Sequence, residues 1–182
     1  MNHTIIFSGS GGQGILSMGI LFASAAVDAG KHCIFYPSYG PEQRGGSAKS
    51  VVIIDAEKPV TSPMAQFGDI LIAMSNKAYT SYIHQLLPGG ILIYDNSVVQ
   101  EKIERTDIKV VPVPAGDLAI EIGSPKVANI LVNGVLLGFV DDITPEEFQA
   151  SLDAKFAGKG EAVQALNRKA LQRGLELAKQ FR

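Results

Sequence analysis

Two short segments hold residues whose types and spacing could do chemistry. The first is Gly9-Ser10-Gly11-Gly12-Gln13-Gly14, in which Gly9, Gly11 and Gly14 match the pattern G-x-G-x-x-G. Glycines so spaced allow a tight turn and close approach of the backbone. Free N–H groups at the start of a following helix can then hold a phosphate. The second segment is Ser38-Tyr39-Gly40-Pro41-Glu42-Gln43-Arg44-Gly45-Gly46. Arg44 is the only arginine in the first 104 residues. Flanking glycines expose the backbone beside it, a setting for a carboxylate or phosphate clamp. The same guanidinium could instead serve an ion pair with an acid such as Glu42.

Elements must position these segments. Residues 4–8 form a short, apolar, β-branched run that predicts a buried parallel strand. Residues 15–29 predict a helix, with Gly30 suited to the position just past its end. Residues 33–36 predict a second strand stopped by Pro37, completing a βαβ unit. Further strands are expected at 48–54, 70–74, 91–94 and 110–113, with a helix over 76–87 closed by Pro88-Gly89-Gly90. The last third predicts helices at 115–122, 127–137 and 160–182. Another begins at Thr144-Pro145-Glu146-Glu147, where a Thr cap, an early Pro and acids suit the helix start. The alternation implies an α/β, Rossmann-like, doubly wound and mostly parallel sheet with a helical C-terminal segment. One domain is expected over residues 1–182, with a sheet core in 1–114 and a helical part in 115–182 packed on it.

If the fold is doubly wound, loops at the carboxyl ends of the strands face the ligand crevice, so both segments should lie together. NAD is disfavoured as the ligand. A dinucleotide site needs an acid at the end of the second strand for the ribose, and Phe35-Tyr36-Pro37 stands there, while Asp28 falls in the preceding helix. Three readings of the glycine segment stay open: a phosphate site for a ligand such as coenzyme A, a flavin-nucleotide site, or a structural turn. It is not a P-loop, because no Gly-Lys-Ser/Thr follows.

Composition narrows the classes. Of 182 residues, 46% are apolar and 19% charged, which excludes a disordered segment. Mean hydropathy is +0.17; a large core, or surface covered by something else, would each produce it. Net charge is −2 with no basic stripe, which argues against nucleic acid. No apolar run is long enough to span a bilayer, and no signal peptide is evident, so a cytoplasmic location is expected. Cys33 is alone, so it can form no internal disulfide and hold no iron–sulfur cluster, and His3, His32 and His84 lack metal-ligand spacing. Gly68-Asp69 and Gly116-Asp117 are each followed by an apolar residue, so no thiamine-diphosphate signature is present.

In order and spacing, the two segments resemble the gamma subunit of 2-oxoacid:ferredoxin oxidoreductases, most closely the 2-oxoglutarate type. The resemblance is carried by GSGGQGI around Gly9–Gly14 and by SYGPEQRGGS around Tyr39–Gly46. Asn129 with Leu136-Leu137-Gly138 resembles a later helical segment of the same family. The resemblance implies a multi-subunit enzyme that oxidatively decarboxylates a 2-oxoacid to its acyl-CoA and passes electrons to ferredoxin or a similar acceptor. It places thiamine diphosphate, Mg and Fe–S clusters on alpha, beta and, in some members, delta partners, and none on this chain. On that basis Gly9, Gly11, Gly12, Gln13, Gly14, Tyr39, Gly40, Pro41, Glu42, Arg44, Gly45 and Gly46 are the candidate contacts to coenzyme A. No residue is assigned a catalytic role, and an isolated chain could pair with itself. A purely structural subunit and a free-standing nucleotide-binding enzyme are the alternatives.

Overall fold

The computed structural model describes residues 2–39, 47–60, 62 and 65–182. Six strands form one sheet in the order β2-β3-β1-β4-β5-β6. They are β1 (Asn2–Ser10), β2 (His32–Tyr39), β3 (Ser47–Asp55), β4 (Gly68–Ala73), β5 (Leu86–Asp95) and β6 (Lys109–Val113). β1, β4, β5 and β6 run parallel, whereas β3 is antiparallel to both of its neighbours, β1 and β2.

The sheet is therefore mixed but mostly parallel. The expected β1–helix–β2 unit exists, yet its two strands are not adjacent. β3 returns beside β2 and inserts between it and β1. That leaves β2 at the edge, which explains why Pro37 lies inside the strand rather than ending it. An edge strand tolerates a residue without an N–H, because one of its sides has no ladder to supply.

Side chains alternate across the pleat, so the two faces build separate cores. One core joins Ile5, Phe7, Ile70 and Ile72 to helices α1 (Ile15–Asp28), α3 (Ala115–Ile122), α4 (Ala128–Leu136), α5 (Pro145–Phe156) and α6 (Glu161–Ala178). Phe7, Phe22 and Phe148 stack through it with centroid separations of 6.2 and 5.8 Å. The other core is smaller, with Ile6, Leu71 and Leu92 under α2 (Asn76–Tyr82). The C-terminal helices thus complete the core of the sheet instead of forming a layer of their own.

Local signals explain most boundaries. α5 opens on a reciprocal cap: Glu147 N–H donates to Thr144 Oγ1 (3.2 Å) and Thr144 N–H to Glu147 Oε2 (2.8 Å). Gly30, at φ 75°, follows α1 as expected. The helix expected over 76–87 is shorter, because a 3-10 turn at Ile83–Gln85 ends it. β5 then starts at Leu86, and Pro88-Gly89-Gly90 lies within that strand, beside a register shift against β4. Gly134 and Gly174 let α4 and α6 cross backbone to backbone; a Cβ on Gly134 would stand 2.5 Å from the Leu171 carbonyl oxygen.

Candidate functional site

Four parallel strands end along one edge of the sheet, and the helices that follow begin there. Most of these helix starts are already satisfied. Ser75 Oγ accepts the Ala78 N–H at the start of α2 (3.2 Å). Asp95, buried at the end of β5, accepts from Ala115 N–H and Gly116 N–H (both 3.1 Å) and so caps α3 from a neighbouring strand. α1 differs. It starts at Gly14 with no side-chain cap and no acid in its first turn, so its leading N–H groups face the edge of the sheet.

The glycine segment is a built turn. Gly9 is the penultimate residue of β1, and a Cβ there would stand 2.5 Å from Ile15 Cδ1, so its absence lets helix and strand pack closely. Gly11 and Gly12 make the turn, with Gly12 at φ 94° and open space above it. Gln13 braces it from within: its Oε1 accepts the Ser10 N–H (2.7 Å) and its Nε2 donates to the Met74 carbonyl at the end of β4 (2.7 Å). Gly14 takes φ 72° as the residue before α1. Asn129, from the start of α4, sits over Gly14, with its Oδ1 bonded to the Ile130 N–H (2.8 Å). No sequence signal marks Asn129 as part of this turn, since 115 positions of chain separate it from Gly14.

Tyr39 and Gly9 both register with Ala48 of β3. The end of β2 thus lies one strand away from the glycine turn on the same edge. Gly40, Pro41, Glu42, Arg44, Gly45 and Gly46 lie outside the described residues. Among the described residues no three His, Cys, Asp or Glu side chains are grouped to hold a metal ion, and no helix is long and apolar enough to cross a membrane.

Two further charged groups lie on the sheet, and one of them, Lys49, is in register with Ser8 beside this turn. Lys49 on β3 donates to Gln85 Oε1 (2.6 Å) and lies 5.0 Å from the centroid of the Tyr82 ring; burial draws its pKa below the usual lysine value. At the opposite edge of the sheet, His3 Nδ1 lies 2.7 Å from Asp69 Oδ2, and its Nε2 lies 3.7 Å from Asp142 Oδ2. The hydrogen bond to Asp69 raises the His3 pKa above 6.5, against the opposing cost of burial.

This arrangement can be set beside known proteins. The pyruvate ferredoxin/flavodoxin oxidoreductase family matches residues 4–177, nearly the whole chain. The chain belongs to that family. It is 34% identical over 185 residues to the 2-oxoglutarate synthase subunit KorC of Methanocaldococcus jannaschii, covering 100% of this chain and 96% of that protein. It is also 34% identical over 174 residues to the ketoisovalerate oxidoreductase subunit VorA of Methanothermobacter thermautotrophicus, covering 95% of this chain. The chain spans only 36% of that relative's length.

Solved members share the fold. The gamma subunit of keto/oxoacid ferredoxin oxidoreductase from Geobacter sulfurreducens superposes with a TM-score of 0.83 at 32% identity, covering 98% of this chain and 99% of that one. The 2-oxoglutarate:ferredoxin oxidoreductase of Magnetococcus marinus, solved with 2-oxoglutarate, coenzyme A and succinyl-CoA bound, gives 0.91 at 27% identity. It covers 100% of this chain and 32% of that one. The expected mostly parallel α/β architecture, with its sheet mixed through β3, is thus shared with a gamma subunit of this family.

Proposed function

We propose that this chain is the gamma-type subunit of a 2-oxoacid:ferredoxin oxidoreductase that converts a 2-oxoacid, 2-oxoglutarate first among them, to its acyl-CoA. The full-length match to a 2-oxoglutarate synthase subunit supports the substrate. Alpha and beta partners, with a delta chain in some assemblies, supply thiamine diphosphate, Mg and the Fe–S clusters. One lone cysteine among 182 residues cannot ligate a cluster. Electrons leave through those partners to ferredoxin or a similar acceptor, in the cytoplasm.

Within that enzyme the chain's part is to place coenzyme A. The observation that carries this is the α1 start: an uncapped helix end, a preceding turn of glycines, and no acid in the first turn. Such an end favours a phosphate, through N–H donation and the helix dipole. Gly11, Gly12 and Gly14 supply the approach, Gln13 keeps the turn rigid, and β2 ends at Tyr39 on the same edge. Arg44 pairs with a phosphate or carboxylate of the ligand. The chain moves no proton and forms no covalent intermediate.

The purely structural reading has one observation in its favour: Gln13 and Gly9 are fully used in packing the turn. The test is steady-state kinetics of the assembled enzyme with Arg44→Ala. A raised apparent KM for coenzyme A at normal thiamine diphosphate content supports the placing role. An unchanged KM with loss of assembly supports the structural one.

A further inference from the structure

Three ionisable side chains from separate elements meet at the amino edge of the sheet, opposite the glycine turn. His3 lies at the start of β1, Asp69 at the start of β4, and Asp142 in the connection between α4 and α5 (residues 137–144). His3 Nδ1–H donates to Asp69 Oδ2 (2.7 Å), and the other oxygen of Asp69 accepts the Thr4 N–H. That bond fixes the tautomer. A neutral imidazole therefore turns the lone pair of Nε2 toward Asp142 Oδ2, 3.7 Å away. Asp142 Oδ2 is buried and accepts no hydrogen bond among the described residues. A buried carboxylate facing a lone pair is an uncompensated charge, whereas one facing an imidazolium is paired. The arrangement is complete only when both ring nitrogens carry protons.

The connection's other attachments do not titrate near neutral pH. Val140 and Ile143 are buried, Lys109 at the start of β6 lies 5.0 Å from the centroid of the Phe139 ring, and Arg182 Nε donates to the Gly138 carbonyl (2.7 Å). The connection also has space beside it. With the end of α6 it walls a cavity of about 430 Å3, lined by Leu137, Val140, Ile143, Leu175 and Arg182. The charges acting on His3 are Asp69 and Asp142, which favour its proton, and the amino group of Met1, the weakest influence, which opposes it. Ile54, its register partner on β3, brings no charge.

We propose that His3 is a protonation-operated latch: as an imidazolium it bridges Asp69 and Asp142 and fastens the α4–α5 connection to the amino edge of the sheet, and its deprotonation releases that connection. The charge changed is one imidazole proton, and the element it biases is the segment around Asp142. The latch lies at the edge opposite the glycine turn, and it holds whether or not the chain places coenzyme A. It is closed at low pH and opens as pH rises through the His3 titration, because the neutral ring leaves Asp142 buried without a partner.

The test is nuclear magnetic resonance on the full chain. The His3 ring is titrated, and amide exchange is followed at Gly138 and Phe139, whose N–H groups bond to the Val135 and Leu136 carbonyls, and at Ile6 and Leu92 within the sheet. After correction for the intrinsic exchange rate, Gly138 and Phe139 should lose at least tenfold more protection than Ile6 and Leu92 as pH rises through the His3 midpoint. Asp142→Asn should lower that midpoint and abolish the extra loss, and His3→Gln should show the released level at every pH. A His3 midpoint below that of an unperturbed histidine, about 6.5, would overturn the proposal. So would an equal loss at all four amides, which marks a change in global stability alone, or an undiminished extra loss in Asp142→Asn. If the variants do not fold, the wild-type midpoint and the comparison of the four amides decide by themselves.

Discussion

Asn129 sits directly over Gly14: its Nδ2 lies 2.5 Å from where a Cβ on Gly14 would stand. The Gly14 end of the turn is therefore packed by the start of α4, while Gln13 ties the turn to β4 and Gly12 stays open. Gly14→Ala meets two obstacles, the left-handed φ of 72° and the Asn129 amide. The first alone costs about 1–3 kcal/mol. Chemical denaturation should show at least that loss. Adding Asn129→Ala should recover only the steric part.

Gln13 is the brace of the same turn. Replacing it by Ala removes two hydrogen bonds to backbone groups, each worth about 0.5–1.5 kcal/mol. Gln13→Glu keeps the acceptor for Ser10 but loses the donor to Met74. The apparent KM for coenzyme A in the assembled enzyme should rise for Gln13→Ala and for Gln13→Glu, with the glutamate adding a negative charge beside the phosphate.

How much of this was legible beforehand depends on range. The strand–glycine–helix start could be read because every residue that makes it lies within about thirty positions and each has a local conformational reason. The helix starts at Ser75 and Asp95 differ in kind: Ser75 is local, whereas Asp95 reaches α3 from another strand, and no spacing announces that. The insertion of β3 was invisible because an apolar run does not state its direction. Pro37 and Pro88-Gly89-Gly90 are local stop signals, but an edge strand and a register shift both admit them. Asn129 could be matched to a family segment, yet its place over Gly14 comes only from how α4 packs.

The helical third should unfold with the sheet. Both share one core, and α4 and α6 are joined through Gly134 and Gly174. We propose one cooperative unit over residues 1–182. Thermal unfolding should give one transition with coincident far- and near-ultraviolet signals. Gly134→Ala should lower its midpoint by overpacking, at a cost of about 1–3 kcal/mol, without splitting it in two.

His3 makes stability depend on pH in a stated direction. Its folded pKa is raised above 6.5, chiefly by the hydrogen bond to Asp69, with Asp142 adding attraction. The folded state therefore binds the proton more tightly than the unfolded one. This contribution is fully present below pH 6.5 and is lost as pH rises through the higher folded value. Urea midpoints measured across that range should fall with pH for the wild-type chain, and His3→Gln should flatten the slope.

Arg44→Ala should cost the placing contact about 1.5–3 kcal/mol, a rise of roughly 10–150-fold in the apparent KM for coenzyme A. The most direct measurement of the central claim comes before any variant. The tagged chain is purified anaerobically from its own source and assayed for partner subunits, thiamine diphosphate, iron and 2-oxoacid-dependent reduction of a viologen dye. The account predicts stoichiometric larger partners and dye reduction that requires both 2-oxoglutarate and coenzyme A. A chain that elutes alone with a bound nucleotide, and shows no 2-oxoacid-dependent activity, would contradict it.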